Sequence, residues 1–415
     1  MLEPTLNGTK ELLKHISLRS DTLISLGLLE AEMTKHNNNV VFSNSEPLII
    51  KHIIEWFEKN FGVPRNKWRW LIQFNKKLVE LEGTSETKSR EFASFLFWIK
   101  NIGIDKNNHF PKWITYRGFD KGTLGTEDKW GMLSIYLGNK GIQKFTSNFL
   151  KEFHNLLSDL PKIKIINYLN GLFCGDGGIN LSGNVRRIFV SFFQKEDRNK
   201  IINLFFKLKI NSYISGNEIF ISNLSDLFKL YKSNFFDKHP SKRLQLLELL
   251  LSYRQFQGRA RNIKIQFEKQ KNCINNEYKE LLSFINNRNN FFNNSFLFCE
   301  NKIQQTTNMY LPTEIKLNGL ARKPKRFIAS EIVCTNSGIT HKKIMEKVNL
   351  TYPSVKHITE RLLKEKYIRK EHFQPFNRIK VFPTIKLIKG INSARDLRND
   401  FEIRYKIPEV IKNAV

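Results

Sequence analysis

Apolar and polar positions repeat with two different periods along this chain. From Thr22 the run Thr-Leu-Ile-Ser-Leu-Gly-Leu-Leu-Glu-Ala-Glu-Met is apolar almost throughout and stops at two acids, which predicts a buried helix. Residues 1–21 read as a short helical leader. A polar turn at 34–39 leads to a strand, VVFSNS, and a helix over about 46–61. There Leu48, Ile49, Ile53, Ile54 and Phe57 recur at about 3.6 residues, and Gly62 is placed to stop it. Residues 67–75 then alternate with period two. Trp68, Trp70, Ile72 and Phe74 form a buried face, while Lys67, Arg69, Gln73 and Asn75 point the other way. Residues 83–128 read as an insertion with a helical piece at 91–100 and a polar loop. A strand at 132–139 and a helix at 140–157 follow.

The pattern then restarts. An apolar helix beginning after Pro161 runs into Phe-Cys-Gly-Asp-Gly-Gly, followed by strands near 178–181 and 185–194 and a helix at 197–208. Strands at 212–215 and 218–222 and a helix at 224–235 complete the unit, and a helix at 241–253 closes it. Both halves share one order: helix ending in acid, two strands, helix, two strands, helix. Such an internal duplication governs the fold. Residues 272–294 hold nine Asn in 23 positions and read as a loosely ordered or partly helical connector. Beyond it, a short helix at 339–348, a turn at 349–351 and a helix at 352–364 precede a hairpin at 367–373 and 378–382, with Leu362, Leu363 and Ile368 packing inward. Helix, tight turn, helix and hairpin form a helix-turn-helix with a wing. The expected segments are 1–158, 159–258, a connector at 259–322, the winged module at 323–390 and a tail at 391–415.

Charge narrows the partner. The 415 residues carry a net +29, and between Arg322 and Lys389 there are 17 Lys and Arg against 5 Asp and Glu, a net +12. An excess of this size attracts nucleic acid. On it, Ser354, Lys356, His357 and Arg361 of the second helix would face a major groove. Four scattered cysteines (Cys174, Cys273, Cys299, Cys334) exclude a disulfide scaffold and a zinc ribbon and fit a reducing, intracellular setting, cytoplasm or nucleoid. No apolar run reaches the length of a membrane span, and the first residues, mixing acid with base, lack the apolar core of a signal peptide.

The chemistry lies where the two apolar helices end. Ser-Leu-Gly27-Leu-Leu-Glu-Ala31-Glu32-Met33 aligns with Leu-Asn-Gly171-Leu-Phe-Cys-Gly175-Asp176-Gly177. Small residues four apart share a helix face, so Gly27, Ala31, Gly171 and Gly175 would let two parallel helices touch backbone to backbone. Glu32 and Asp176 would then meet at the bottom of that contact. Two buried like charges require neutralising, and a divalent cation is the simplest agent. A metal held by paired carboxylates under a basic surface is equipment for phosphodiester hydrolysis.

These residues resemble the LAGLIDADG homing endonucleases, over roughly residues 22–255 and with both motif copies in one chain. The segment FSNSEPLIIKHIIEWFEKNFGV also resembles family sequence. The resemblance implies an α+β fold of two pseudo-symmetric αββαββα repeats forming a saddle over DNA, with a C-terminal winged helix added here. It implies Glu32 and Asp176 as catalytic metal ligands for Mg²⁺, with Mn²⁺ substituting, and a monomer that cuts both strands of a long asymmetric DNA site. Departures are Glu at the first acid position, Met33 for the final glycine and Cys174 for an earlier acid; Cys174 reads as packing. Family members place a basic residue near the site, and Lys238, Lys242 and Arg243 in FFDKHPSKR match that neighbourhood; Lys238 and Lys242 are the candidate catalytic lysines, Arg243 a DNA contact. Lys35, Arg69, Gln73, Asn75, Arg187 and Ser191 complete the expected DNA-reading set. Two alternatives stand: a non-cleaving regulator of the WhiA kind, which joins this fold to a helix-turn-helix, and an intron maturase binding RNA; the gene could lie in an organelle. Met1 and the terminal Asn-Ala-Val disfavour an intein.

Overall fold

The computed structural model describes residues 5–6, 9–10, 16–34, 38–75, 84–117, 129–181, 186–192, 195–253, 261–306, 315–373 and 378–415; Lys35 lies outside them. The fold is α+β. The chain divides into two units, Met1–Thr307 with Glu409–Val415, and Asn308–Pro408.

In the first unit β1 (Thr5–Leu6) pairs antiparallel with β2 (Thr9–Lys10), so the leader's described part is strand at 5–6 and 9–10 and helical only at Ser20–Asp21. The helix α1 (Ser20–Glu32) buries every residue from Thr22 to Leu29. After it come β3 (Val40–Asn44) and α2 (Pro47–Phe61), which Gly62 ends in the left-handed conformation at φ 64°. The strand β4 (Arg69–Asn75) buries Trp70, Ile72 and Phe74 as its alternation predicts, with Trp68 just before it.

The inserted segment differs from its reading. It forms α3 (Thr84–Ile102) and a strand, β5 (His109–Arg117), that joins the sheet parallel to β4. A parallel neighbour needs a crossover, and α3 supplies it. Pro111 within β5 disguises the strand signal; it is tolerated because β5 is an edge strand. With β6 (Met132–Leu137) the sheet order is β3-β6-β4-β5, and α4 (Lys140–Leu156) follows.

The second apolar helix is α5 (Lys162–Asp176), again buried through its middle. Then come β7 (Gly177–Asn180), β8 (Arg187–Ser191), α6 (Lys195–Lys207), β9 (Tyr213–Ser215), β10 (Glu218–Ile221), α7 (Leu224–Lys232) and α8 (Pro240–Leu251). Their sheet is antiparallel throughout, in the order β7-β8-β10-β9.

The Asn-rich stretch follows its helical reading rather than the loose one, and is helical throughout. It belongs to α9 (Arg261–Thr306), 46 residues long, packed against α3 and α8. Buried or half-buried positions recur every seventh residue at Phe267, Ile274, Leu281, Arg288 and Ser295, with Phe292 and Cys299 beside them. Burial of that stripe outweighs the modest helix propensity of Asn, a few tenths of a kcal/mol per residue, roughly.

The second unit contains α10 (Pro324–Thr335), β11 (Ile339–Thr340), α11 (His341–Val348), α12 (Tyr352–Lys364), β12 (Ile368–Phe373), β13 (Arg378–Pro383) and α13 (Ile385–Tyr405). Its sheet order is β11-β13-β12, and Leu320, Phe327, Val333, Ile344, Val355, Leu362, Ile368, Val381 and Leu387 form its core. Asn349, at φ 51°, ends α11 and turns the chain into α12. Leu363 is 41% exposed, since a helix turns its neighbour Leu362 inward and the next position out. The expected boundary at 390 falls inside α13, which packs on α10. The last helix, α14 (Glu409–Lys412), lies in the first unit. Among the described residues no helix is long and apolar enough to cross a membrane.

Candidate active site

The contact between α1 and α5 is backbone to backbone at Gly27 and Gly171 and reaches the Ala31 and Glu32 side chains at Gly175. A Cβ on Gly27 would run into the Tyr168 carbonyl and lie 2.5 Å from the Leu172 nitrogen. One on Gly171 would strike the Ile24 carbonyl, and one on Gly175 would lie 2.5 Å from the Ala31 Cβ and 3.2 Å from the Glu32 Cγ. The partners advance together in both sequences (24 with 171, 27 with 172, 31 with 175), so the helices run parallel. The four small residues thus occupy the contact that their spacing predicts.

Both helices therefore deliver their final acid to one place. Glu32 is half-buried and Asp176 exposed. Burial pushes the Glu32 carboxyl up to about 7, and the Asp176 charge adds to the push; the Lys242 charge and a hydrogen bond from Asn44 work against it. Lys242 Nζ donates to the carbonyls of Phe173, Cys174 and Gly175 at 3.2, 2.7 and 2.6 Å. This ammonium caps the C-terminal end of α5, where the helix dipole favours a cation. Burial lowers its pKa, while the charges of Cys174, Glu32, Asp176 and Glu46 pull the other way.

The raised carboxyl makes stability depend on pH. Glu32 holds its proton to a higher pH in the folded chain than at its ordinary value of 4.5. Between those values the folded state binds more protons, so stability is lost as pH rises from about 4.5 to about 7. The buried His52 and His239, both lowered chiefly by burial, act oppositely below 6.5. Thermal melts in EDTA at pH 5 and pH 8 will therefore separate the wild type from Glu32→Gln: the substituted chain lacks the Glu32 part of the fall and is the more stable at pH 8.

Other expected site residues lie elsewhere. Gln73 is 2% exposed, and its amide donates to the Ser134 hydroxyl on the neighbouring strand, so it cannot read DNA in this structure. Arg243 is buried and ion-paired with Glu277 of α9 at 2.7 Å, with further bonds to the Tyr231 and Phe235 carbonyls; it braces α8 rather than contacting a partner. Arg187 is held by Glu218 at 2.8 Å across the β8–β10 pair. Lys238 sits 3.5 Å from Asp237, and the ammonium acting on Glu32 is that of Lys242. Arg69 is exposed over the Phe110 ring at 4.1 Å, Ser191 is exposed and Asn75 half-buried. Cys174 is fully buried, and burial pushes its thiol up to about 12, as befits packing. In the second unit Ser354, Lys356, His357 and Arg361 are all exposed on α12.

Sequence reasoning missed three residues. Asn44 Nδ2 donates to Glu32 Oε1 at 2.9 Å, and Asn44 Oδ1 accepts from the Glu46 N–H at 2.8 Å. Glu46 is in turn bound by Arg288 through both carboxylate oxygens, at 2.5 and 3.0 Å. One signal could have revealed Arg288: it is the charged residue within the seven-residue apolar stripe of α9.

No known family model matches the chain, and neither does any curated protein.

Proposed function

We propose that this chain is a divalent-metal-dependent endonuclease for double-stranded DNA, built as two LAGLIDADG repeats with a C-terminal winged helix-turn-helix. The observation that carries the reading is the glycine-lined contact of α1 with α5, which brings Glu32 and Asp176 together beside Lys242. The sheets support a duplication. Met33 bridges Phe42 and the Thr34 N–H donates to the Val41 carbonyl, so residues 33–34 stand where β7 stands in the second half. With that vestigial strand counted, residues 33–34, β3, β6 and β4 repeat the order β7-β8-β10-β9, and β5 is an addition at the far edge. One chain then supplies both halves of the site, which suits a monomer and an asymmetric target.

The donor set fits Mg²⁺. Two carboxylates converge where the folded chain penalises the Glu32 charge, and a divalent cation would reverse that penalty. Among the described residues no group of three His, Cys, Asp or Glu could hold a metal. Mg²⁺ commonly keeps several waters and takes one or two carboxylates, so Glu32 and Asp176 would hold it. Bound there, it would activate water and stabilise the leaving oxygen. The chain's own work is to fix both acids by backbone packing, to orient Glu32 through Asn44, and to hold positive charge at Lys242 beside the reacting phosphate. Arg69 and Ser191 on the sheets would contact DNA.

The test is cleavage of a random-sequence DNA library by the purified chain with Mg²⁺ or Mn²⁺, with EDTA as control. Recovery of one long asymmetric site cut on both strands is expected. Tight binding that never nicks with either metal would favour the regulator reading, and binding confined to intron RNA the maturase. For the second unit, Lys356→Ala with Arg361→Ala should weaken DNA binding and reduce the slope of log affinity against log salt by about 2, one for each phosphate contact, roughly. An unchanged slope would remove α12 from the interface.

A further inference from the structure

We infer that Arg288 is a positioning residue for the carboxylate pair, acting on Glu32 through Glu46 and Asn44. The inference rests on the endonuclease reading for its activity arm only.

The geometry is a short relay. The Arg288 guanidinium grips both oxygens of Glu46, at 2.5 and 3.0 Å, and both side chains are buried, 6% and 2% exposed. The Glu46 N–H selects the oxygen end of the Asn44 amide, which leaves the Asn44 Nδ2 facing Glu32 at 2.9 Å. The corner between β3 and α2 is held from a second side as well. Trp130 Nε1 donates to the Ser45 carbonyl at 3.0 Å, and the guanidinium lies 5.1 Å from the Trp130 ring. Glu46 also caps α2, accepting from the Leu48 N–H at 3.3 Å.

Stability alone gives no reason for this choice of residue. Desolvating both members of a buried ion pair costs enough that apolar replacements are often neutral or better. Three of the other four stripe positions of α9 are filled by Phe267, Ile274 and Leu281, the fourth by Ser295, and an apolar side chain would serve for packing at 288 too. What the pair adds is a fixed orientation for residues 44–46, and the acid at the end of that corner is Glu32. The same charges reach the other side of the site, where Glu46 acts on Lys242 and Arg288 on His239. Outer partners of this kind typically tune metal affinity or activity by 10–100-fold, roughly.

The experiment uses the full chain with Arg288→Met, Arg288→Lys and Glu32→Gln. Folding is checked by circular dichroism, Mn²⁺ affinity is measured by calorimetry without DNA, and cleavage is resolved into kcat and KM. In folded Arg288→Met we expect Mn²⁺ affinity and kcat to fall about tenfold with KM for DNA unchanged. Arg288→Lys keeps the buried charge and loses the two-point grip, so it should fold and recover part of both. Wild-type affinity and kcat in folded Arg288→Met overturn the inference; if that variant does not fold, wild-type values in Arg288→Lys do so. A wild-type chain whose Mn²⁺ binding is lost in Glu32→Gln, but which cleaves nothing, overturns the endonuclease reading and leaves the Arg288 comparison readable in the affinities. A wild-type chain that binds no Mn²⁺ overturns both.

Discussion

Glu32→Gln and Asp176→Asn should each yield a chain that still binds DNA and cuts it about 10²- to 10³-fold more slowly, the scale seen when one electrostatic stabiliser is removed from an active site. The reason is local. Each substitution removes a proposed metal ligand but preserves the helix contact, which Gly27 and Gly171 make with the facing backbone and Gly175 with Ala31 Cβ and with Glu32 Cγ, an atom that glutamine keeps. DNA affinity should hold or rise slightly, since a negative charge facing phosphate is gone. Glu32→Gln should also stabilise the metal-free protein above pH 7, so a folding defect cannot account for the lost rate. Measured cleavage within tenfold of wild type for either variant would remove the carboxylate pair from the chemistry.

Gly171→Ala should destabilise the first unit by about 3 kcal/mol or more, at or beyond the upper end of ordinary overpacking. Two effects compete. Alanine improves helix propensity over glycine by about 1 kcal/mol. Against it, the new methyl would strike the Ile24 carbonyl, with the Ile24 carbonyl carbon at 2.8 Å and the Cα at 3.0 Å. Those are main-chain atoms of α1, so relief requires the helices to part, and parting moves Glu32 from Asp176. Steric cost wins. Gly138→Ala is the control, because nothing lies within 4 Å of its added Cβ. Urea melts of the two variants measure the difference; equal midpoints would mean that α1 and α5 have more room than their glycines indicate.

The site was legible where physics forces a residue type. Close helix contact demands small residues, and helix ends that meet must declare their charge, so Gly27, Ala31, Gly171, Gly175, Glu32 and Asp176 stood out of the sequence. Lys242 stood among three basic candidates, and only the fold separates its ammonium, which reaches the Cys174 and Gly175 carbonyls, from Lys238 beside Asp237 and Arg243 paired with Glu277. Strand alternation placed Trp68, Trp70, Ile72 and Phe74 inside. The same alternation put Gln73 on the outward face, but outward from one layer is not outward to solvent, and Ser43, Ser134 and Gln73 bond to one another across three strands. The β5 strand hid behind its proline, and α9 behind its asparagines. In α9 the apolar stripe carries the helix, and counting Asn obscures a pattern that counting sevens reveals.

The span of the Glu46–Arg288 bridge, 242 residues, has a consequence for how the protein is made. Chains leave the ribosome N-terminus first, at roughly 5–20 residues per second. Both acid-bearing helices emerge long before Arg288 does, and for that interval Glu46 lacks the two-point grip of the Arg288 guanidinium. Closing the corner over that carboxylate would cost several kcal/mol, roughly. The first half therefore completes the corner at residues 44–46 only after translation has passed α9, and a ribosome that stalls earlier releases a chain whose Glu46 has no Arg288 to hold it.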